Sequence, residues 1–290
     1  MDVAWLGEAA AHDPALVGGK AASLSRLAAA YTVPPGFALT SKALARAAPD
    51  LARGVVPPEL RRLIDDAYAA LEGGRVAVRS SAVDEDGDAH SFAGQHETFL
   101  NIEGADAVAD SVLLCFASAF TARALDYRLH VGLPVDHIGL AVLVQRQVLA
   151  DSAAVVFTAN PVNGQLDEIV INASYGLGES IVGGTTTPDT FVVRKSDLVI
   201  LSRTIGEKRL MTVPEPGGTR EVETPALLRS LPSITDEAAV AMAELGRSLE
   251  LETGAPVDIE CAVAGGTLYL LQSRPITTLA QPSMTERGAS

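Results

Sequence analysis

The stretch Val257-Asp258-Ile259-Glu260-Cys261-Ala262-Val263-Ala264-Gly265-Gly266-Thr267-Leu268-Tyr269-Leu270-Leu271-Gln272-Ser273-Arg274 alternates in polarity ahead of a Gly-Gly pair, the pattern of an antiparallel hairpin. Val257, Ile259, Cys261 and Val263 fall on one face, Asp258 and Glu260 on the other. Which residues those acids meet depends on register, since a one-residue slip moves every side chain to the opposite face. A two-residue turn at Gly265-Gly266 sets Gln272 opposite Ile259, burying an amide among aliphatic side chains at a cost of about 1–3 kcal/mol if unpaired. A three-residue turn centred on Gly266 pairs Glu260 with Gln272 and Asp258 with Arg274, and this second register is the one the sequence predicts. It gathers two carboxylates, an amide and a guanidinium on one surface. Acids that can hold a divalent cation beside an arginine that can hold phosphate are what a Mg-nucleotide needs. The alternative reading is a cross-strand salt bridge on a solvated sheet face.

Working back from the hairpin, 235–253 reads as a helix, and 213–233, rich in Pro, Gly and Glu, as an excursion. From 138 to about 210, β-branched runs such as Ala141-Val142-Leu143-Val144 and Ile169-Val170-Ile171 alternate with Gly, Asn, Asp and Pro turns, which predicts sheet. One long helix is expected over about 105–131 and another over about 57–72, the latter opened by Pro57-Pro58 and stopped by Gly73-Gly74. Arg75 to Ser80 alternates at period two, so Val76 and Val78 face a core while Arg79 points to the other side, ahead of a polar loop over 80–95. Residues 15–31 read as a Gly-rich loop carrying Lys20 and then a helix. Mixed helix and antiparallel strand predicts an α+β chain in two lobes, about 1–135 and 136–279, with a tail over 280–290.

Composition restricts the chemistry further. In 290 residues, 22 Lys and Arg stand against 36 Asp and Glu, a net charge of −14, which leaves no basic surplus for a nucleic-acid backbone. No apolar run reaches the ~20 residues of a membrane span. The N-terminus carries acids where a signal peptide would carry Lys or Arg, so a cytoplasmic location is expected. Cys115 and Cys261 are far apart in apolar contexts and read as core residues. An anionic ligand therefore needs a local cluster of the few cations.

Three familiar patterns fail. Gly18-Gly19-Lys20 is followed by Ala21 and lacks the first glycine of a Walker loop. Asp84-Glu85-Asp86-Gly87-Asp88 resembles a calcium loop but is followed by Ala89 at the sixth position, where the sharp turn needs glycine. Gly176 and Gly178 lack the third glycine of a dinucleotide fingerprint.

Val17-Gly18-Gly19-Lys20-Ala21-Ala22-Ser23-Leu24, Val33-Pro34-Pro35-Gly36-Phe37, Val76-Ala77-Val78-Arg79-Ser80-Ser81, Ser91-Phe92-Ala93-Gly94-Gln95-His96-Glu97, Ala173-Ser174-Tyr175-Gly176-Leu177-Gly178-Glu179 and Asp258-Ile259-Glu260 with Gln272-Ser273-Arg274-Pro275 follow one another along the chain. Together they resemble the ATP-binding domain of the phosphoenolpyruvate synthase, pyruvate phosphate dikinase and rifamycin phosphotransferase family. The resemblance implies an ATP-grasp-like pair of lobes with ATP between them. It implies phosphate contacts from Lys20 and Arg79, a phosphate-covering loop at Ser91, Gly94 and Gln95, and Mg²⁺ held by Glu260 and Gln272. It further implies Asp258 as support for that site, Arg274 neutralising the transferred phosphates, Gln145 at the adenine-binding hinge, and Arg123 and Glu179 near the nucleotide. Lys20, Arg79 and Arg274 would be the catalytic set. In such a family ATP charges a histidine on a separate swivelling domain, and a further domain passes phosphate to an acceptor. No Thr-Ser-His-type motif occurs here, so the chain is either a free-standing component whose expected partner is a phosphohistidine swivelling domain or acceptor-domain protein acting in trans, or a fragment of a longer protein, with AMP and phosphate as eventual products. The alternatives are a self-contained ATP-grasp kinase or ligase acting on a small acid, and a non-catalytic nucleotide-binding module.

Overall fold

The computed structural model describes residues 1–83, 97–130 and 139–276. The chain divides into two compact units. The first comprises Met1–Leu149, Val213–Arg220 and Tyr269–Ser273, and the second Ala150–Thr212, Glu221–Leu268 and the residues from Arg274 onward. The expected lobe boundary near residue 135 falls ahead of a strand, Leu140–Arg146, that pairs inside the first unit's sheet. Among the described residues no helix is long and apolar enough to cross a membrane.

The first unit contains, in chain order, β1 (Val3–Trp5), α1 (Pro14–Leu27), β2 (Gly36–Leu39), α2 (Ser41–Leu51), α3 (Pro58–Ala70), β3 (Val76–Ala82), β4 (Thr98–Ile102), α4 (Ala105–Ser118), α5 (Ala122–His130) and β5 (Leu140–Arg146). The strands form one antiparallel sheet in the order β1-β2-β5-β3-β4. One face of this sheet, with Phe37, Leu39, Val76, Val78, Val142 and Val144, joins Leu44, Ile64, Val108, Val112 and Cys115 in a continuous core. The predicted long helix over 105–131 is two helices, because after α4 the Thr121 hydroxyl bonds back to the Ser118 carbonyl (3.0 Å) and caps the Ala124 N–H (3.3 Å).

The second unit contains β6 (Ser152–Phe157), β7 (Glu168–Tyr175), α6 (Glu179–Val182), β8 (Asp189–Arg194), β9 (Ile200–Thr204), β10 (Leu210–Glu215), β11 (Gly218–Glu223), α7 (Asp236–Thr253), β12 (Val257–Ala264) and β13 (Thr267–Pro275), with segments of β10, β11 and β13 grouped with the first. Its sheet runs β13-β12-β6-β7-β8-β9, and β10 pairs with β11. The excursion expected over 213–233 thus begins inside a hairpin, turned at Pro216-Gly217, where Gly217 takes φ 80°. Thr212 at its base lies so close to Gly176 that a Cβ there would sit 2.3 Å from the Thr212 carbonyl oxygen.

The β12–β13 turn is the two-residue one. Gly265 (φ 55°) and Gly266 (φ 79°) both occupy the left-handed region, which a primed turn requires and glycine supplies without steric cost. This overturns the predicted three-residue turn. Yet the Ile276 N–H donates to the Pro256 carbonyl (2.8 Å), a pairing offset by one residue from the count that starts at Ala264 and Thr267. One extra residue is therefore absorbed along β13, and the open end of the hairpin returns to the register that pairs Asp258 with Arg274. The expected pair forms, by a different route.

A fully buried ion pair ties the second unit's connections together. Lys208 and Asp189 both have no exposed side-chain surface. Asp189 also accepts from the Gly206 N–H (3.0 Å) and from the Ser233 N–H (2.6 Å) and hydroxyl (2.7 Å), while Lys208 donates to the Gly206 carbonyl (2.9 Å). The Tyr175 ring lies beside the ammonium, 5.8 Å from it to the ring centroid. Removing one partner strands the other charge in the interior. Lys208→Met should therefore lower stability by about 3–5 kcal/mol, read as a drop in the urea midpoint.

Candidate functional site

In the first unit, α1 delivers Lys20. Asp13 caps the helix by accepting from the Ala15 N–H, and Pro14 occupies its first turn. The tract then breaks at Gly18 (φ 77°, ψ 164°), where a Cβ would meet the Ser81 carbonyl oxygen at 2.2 Å. The Ala21 N–H reaches the Ser81 hydroxyl (3.2 Å), and Lys20 Nζ donates to the Ser80 carbonyl (2.9 Å). Lys20 is thus helical and buried, not on the open loop that its glycines predict.

Arg79 and Gln145 share the sheet face opposite the core. Arg79 is paired with Leu143, and Gln145 with Ala77 and Gly36, so all five residues point to the side away from Val76 and Val78. That side is buried as well. Arg79 donates to the Leu271 carbonyl (2.7 Å), and Gln145 to the Pro34 carbonyl (3.0 Å). Gln272 lies between Leu271 and Ser273, and the Ser273 carbonyl accepts from the Ser23 hydroxyl (3.2 Å). The first unit therefore brings Lys20, Arg79, Gln145 and the Gln272 segment onto one framework.

In the second unit, Asp258 and Glu260 project from the same face of β12, two residues apart. Arg274 grips Asp258 Oδ2 through Nε (2.8 Å) and a terminal nitrogen (2.7 Å). The other oxygen, Oδ1, is buried without a hydrogen-bond partner among the described residues. Burial pushes the Asp258 carboxyl above its ordinary value, with Arg274 pulling against that shift and Glu260 adding to it. Glu179 opens the short α6, and its Oε2 is also buried and unpartnered. Arg123 falls in α5, with its side chain outside the described set, and Ser91, Gly94 and Gln95 lie outside the described residues.

Both thiols are inert: burial raises Cys115 to about 12 against the opposing effect of Lys20, and raises Cys261 to about 12 with Glu260 adding to it. Asn172 and Thr190, which the sequence reading did not single out, occupy the Asp258 and Glu260 face of the sheet. The readable signal was the alternation Asn172, Ser174 inside an otherwise β-branched run.

No group of three or more His, Cys, Asp or Glu side chains able to hold a metal occurs among the described residues. Magnesium is ordinarily held by one or two carboxylates with phosphate oxygens and water completing its shell. The half-buried Glu260 and the unpartnered Asp258 Oδ1 supply acceptors of that type, so the residues present fit the ion.

The sign of the Asp258 shift gives a test. A raised carboxyl holds its proton more tightly in the folded chain, so its contribution to stability falls as pH rises from its ordinary value through the raised one. Arg274→Met should push that window upward and cost about 1–3 kcal/mol at neutral pH. Adding Asp258→Asn should recover most of the loss, in urea titrations between about pH 4 and 7.

The chain matches the family model described as pyruvate phosphate dikinase, AMP/ATP-binding domain, over residues 45–288. A probable phosphoenolpyruvate synthase of Methanothermobacter thermautotrophicus is 38% identical, over 96% of this chain and 46% of its own length. The rifampicin phosphotransferase of Streptomyces sviceus is 38% identical, over 91% of this chain and 34% of its own. The prodigiosin synthesizing transferase PigC of Serratia marcescens is also 38% identical, over 93% of this chain and 32% of its own. The chain thus spans less than half the length of each of these relatives.

Proposed function

Since the chain belongs to the pyruvate phosphate dikinase AMP/ATP-binding domain family, we propose that it binds Mg-ATP and donates phosphate to a carrier histidine on a separate domain. The observation that carries the reading is that the implied residues gather within each unit: Arg79 and Gln145 on one sheet face with Lys20 of α1 bonded to the adjacent Ser80 carbonyl in the first, and Asp258, Glu260 and Arg274 on one sheet face in the second. An ATP-grasp-like arrangement of the nucleotide is part of this proposal.

Phosphoryl transfer asks a protein for positioning and charge neutralisation more than for covalent chemistry. Lys20 and Arg79 meet phosphate oxygens, and Gln145, an amide on a buried strand, orients adenine. Glu260 and Gln272 would hold Mg²⁺, which when bound would offset phosphate charge. Asp258 fixes the Arg274 guanidinium by two hydrogen bonds, so the arginine keeps one orientation toward the transferred group. For AMP to appear, the imidazole nitrogen bonds to the β phosphorus while the bond from that phosphorus to the α–β bridging oxygen breaks, its electron pair leaving on the oxygen that AMP keeps. The diphosphoryl group passes to the imidazole nitrogen, and water then releases the outer phosphate. Arg274 counters the charge that develops as the bond breaks.

Titration calorimetry with ATP and Mg²⁺, followed by nucleotide analysis after adding a histidine-carrier domain, tests the proposal. Binding is expected, and AMP should form only with the carrier. Arg274→Ala should lower turnover by about a hundredfold or more while retaining nucleotide binding, and Glu260→Ala should weaken the Mg-dependent part of binding by about tenfold. Normal turnover in Arg274→Ala would overturn its assignment.

A further inference from the structure

Residues directly opposite one another in a ladder share a face. In the second unit Glu260 faces Val155, Val155 faces Asn172, and Asn172 faces Thr190, so a single row crosses β12, β6, β7 and β8. The neighbouring row is Asp258, Phe157, Val170 and Val192. On the other side of it stand Ala262, Ala153 and Ser174, and there Gly178, just ahead of α6, packs beside Ala153, where a Cβ would be in ordinary contact with its side chain at 3.5 Å. The reverse face, with Val156, Ile171, Phe191 and Ile259, is fully buried beneath α7, whose Gly246 backs onto Thr158, Val156 and Ile259. Glu260, Val155, Asn172 and Thr190 are by contrast all half-buried.

Asparagine is depleted in strands, and Asn172 is held there in one orientation. The Thr190 hydroxyl donates to its Oδ1 (2.9 Å), which turns the amide so that Nδ2 points away from Thr190. Nδ2 has no partner among the described residues. Two strand spacings, roughly 10 Å, separate the Cα atoms of Asn172 and Glu260, with only Val155 between them. An oxygen-rich group lying over Val155 can touch both. A neutral donor suits that position, because a lysine there would pair with Glu260 and compete with a cation for its oxygens.

We propose that Asn172, oriented by Thr190, is a further binding residue of this site and donates Nδ2–H to a phosphate oxygen of the Mg-ATP that Glu260 meets through the cation. The inference rests on the Mg-ATP reading above. Thr190 is a positioning residue: it acts on the ligand through Asn172.

The test is titration calorimetry of the full chain with Mg-ATP and, separately, with adenosine, alongside melting temperatures. Asn172→Ala should weaken Mg-ATP binding by about ten- to a hundredfold and leave adenosine binding unchanged. Asn172→Asp should weaken it more than Ala does, because a carboxylate then faces phosphate. Thr190→Val should give a smaller loss, and Thr190→Ser, which keeps the hydroxyl, should restore wild-type affinity. If the wild type binds Mg-ATP and the Ala and Asp variants bind it equally well, the inference fails while the Mg-ATP reading stands. It fails in the same way if the variants lower only the melting temperature, or if Thr190→Ser behaves like Thr190→Val. A wild type that binds no Mg-ATP overturns both.

Discussion

The helix α7 closes one face of the second unit's sheet, so polar residues carried at period two by β12, β6, β7 and β8 emerge together on the other. A strand cannot hide one such residue without turning its neighbours. The apolar set Val156, Ile171, Phe191 and Ile259, each fully buried, therefore fixes the side on which Asp258, Glu260, Asn172 and Thr190 appear. Chemistry on this unit depends on packing at its back.

The first unit reaches a comparable result by backbone proximity. Gly18 lets α1 approach the Ser81 carbonyl more closely than any side chain would permit, and the helix then offers Lys20 to the adjacent Ser80 carbonyl. Arg79 and Gln145 arrive from the strands beneath, on the face that the core does not use. The cations are few in this acidic chain. Two of them are buried and hydrogen-bonded to backbone carbonyls, which restricts their side chains before any ligand arrives and, under the reading proposed above, would lower the entropy lost on binding.

Much of this was legible from residue spacing. The helix over 235–253, the alternation around Asp258 and Glu260, and the sidedness of Arg79 all follow from local sequence, and the structure has them. The hairpin turn was misread because the cost of burying Gln272 was weighed above the preference of Gly-Gly for a two-residue primed turn. The extra residue absorbed along β13 depends on partners that local spacing does not contain. The break between α4 and α5 was hidden by an alanine-rich run whose propensity is helical throughout, and Thr121 was its one written sign. Asn172 escaped notice because its neighbours classify the segment as a strand without revealing which face stays open.

Neither unit is a continuous piece of chain: the first takes residues 269–273 and the second begins at 150. The hydrogen bond from Arg79 to the Leu271 carbonyl joins positions 192 residues apart. Contacts of that range raise the entropic cost of reaching the transition state and slow folding. During synthesis the strand bearing Arg79 must wait for the 192 residues up to Leu271 to emerge before its partner exists. The Arg79 guanidinium thus acquires its native setting only after that long-range closure, late in folding.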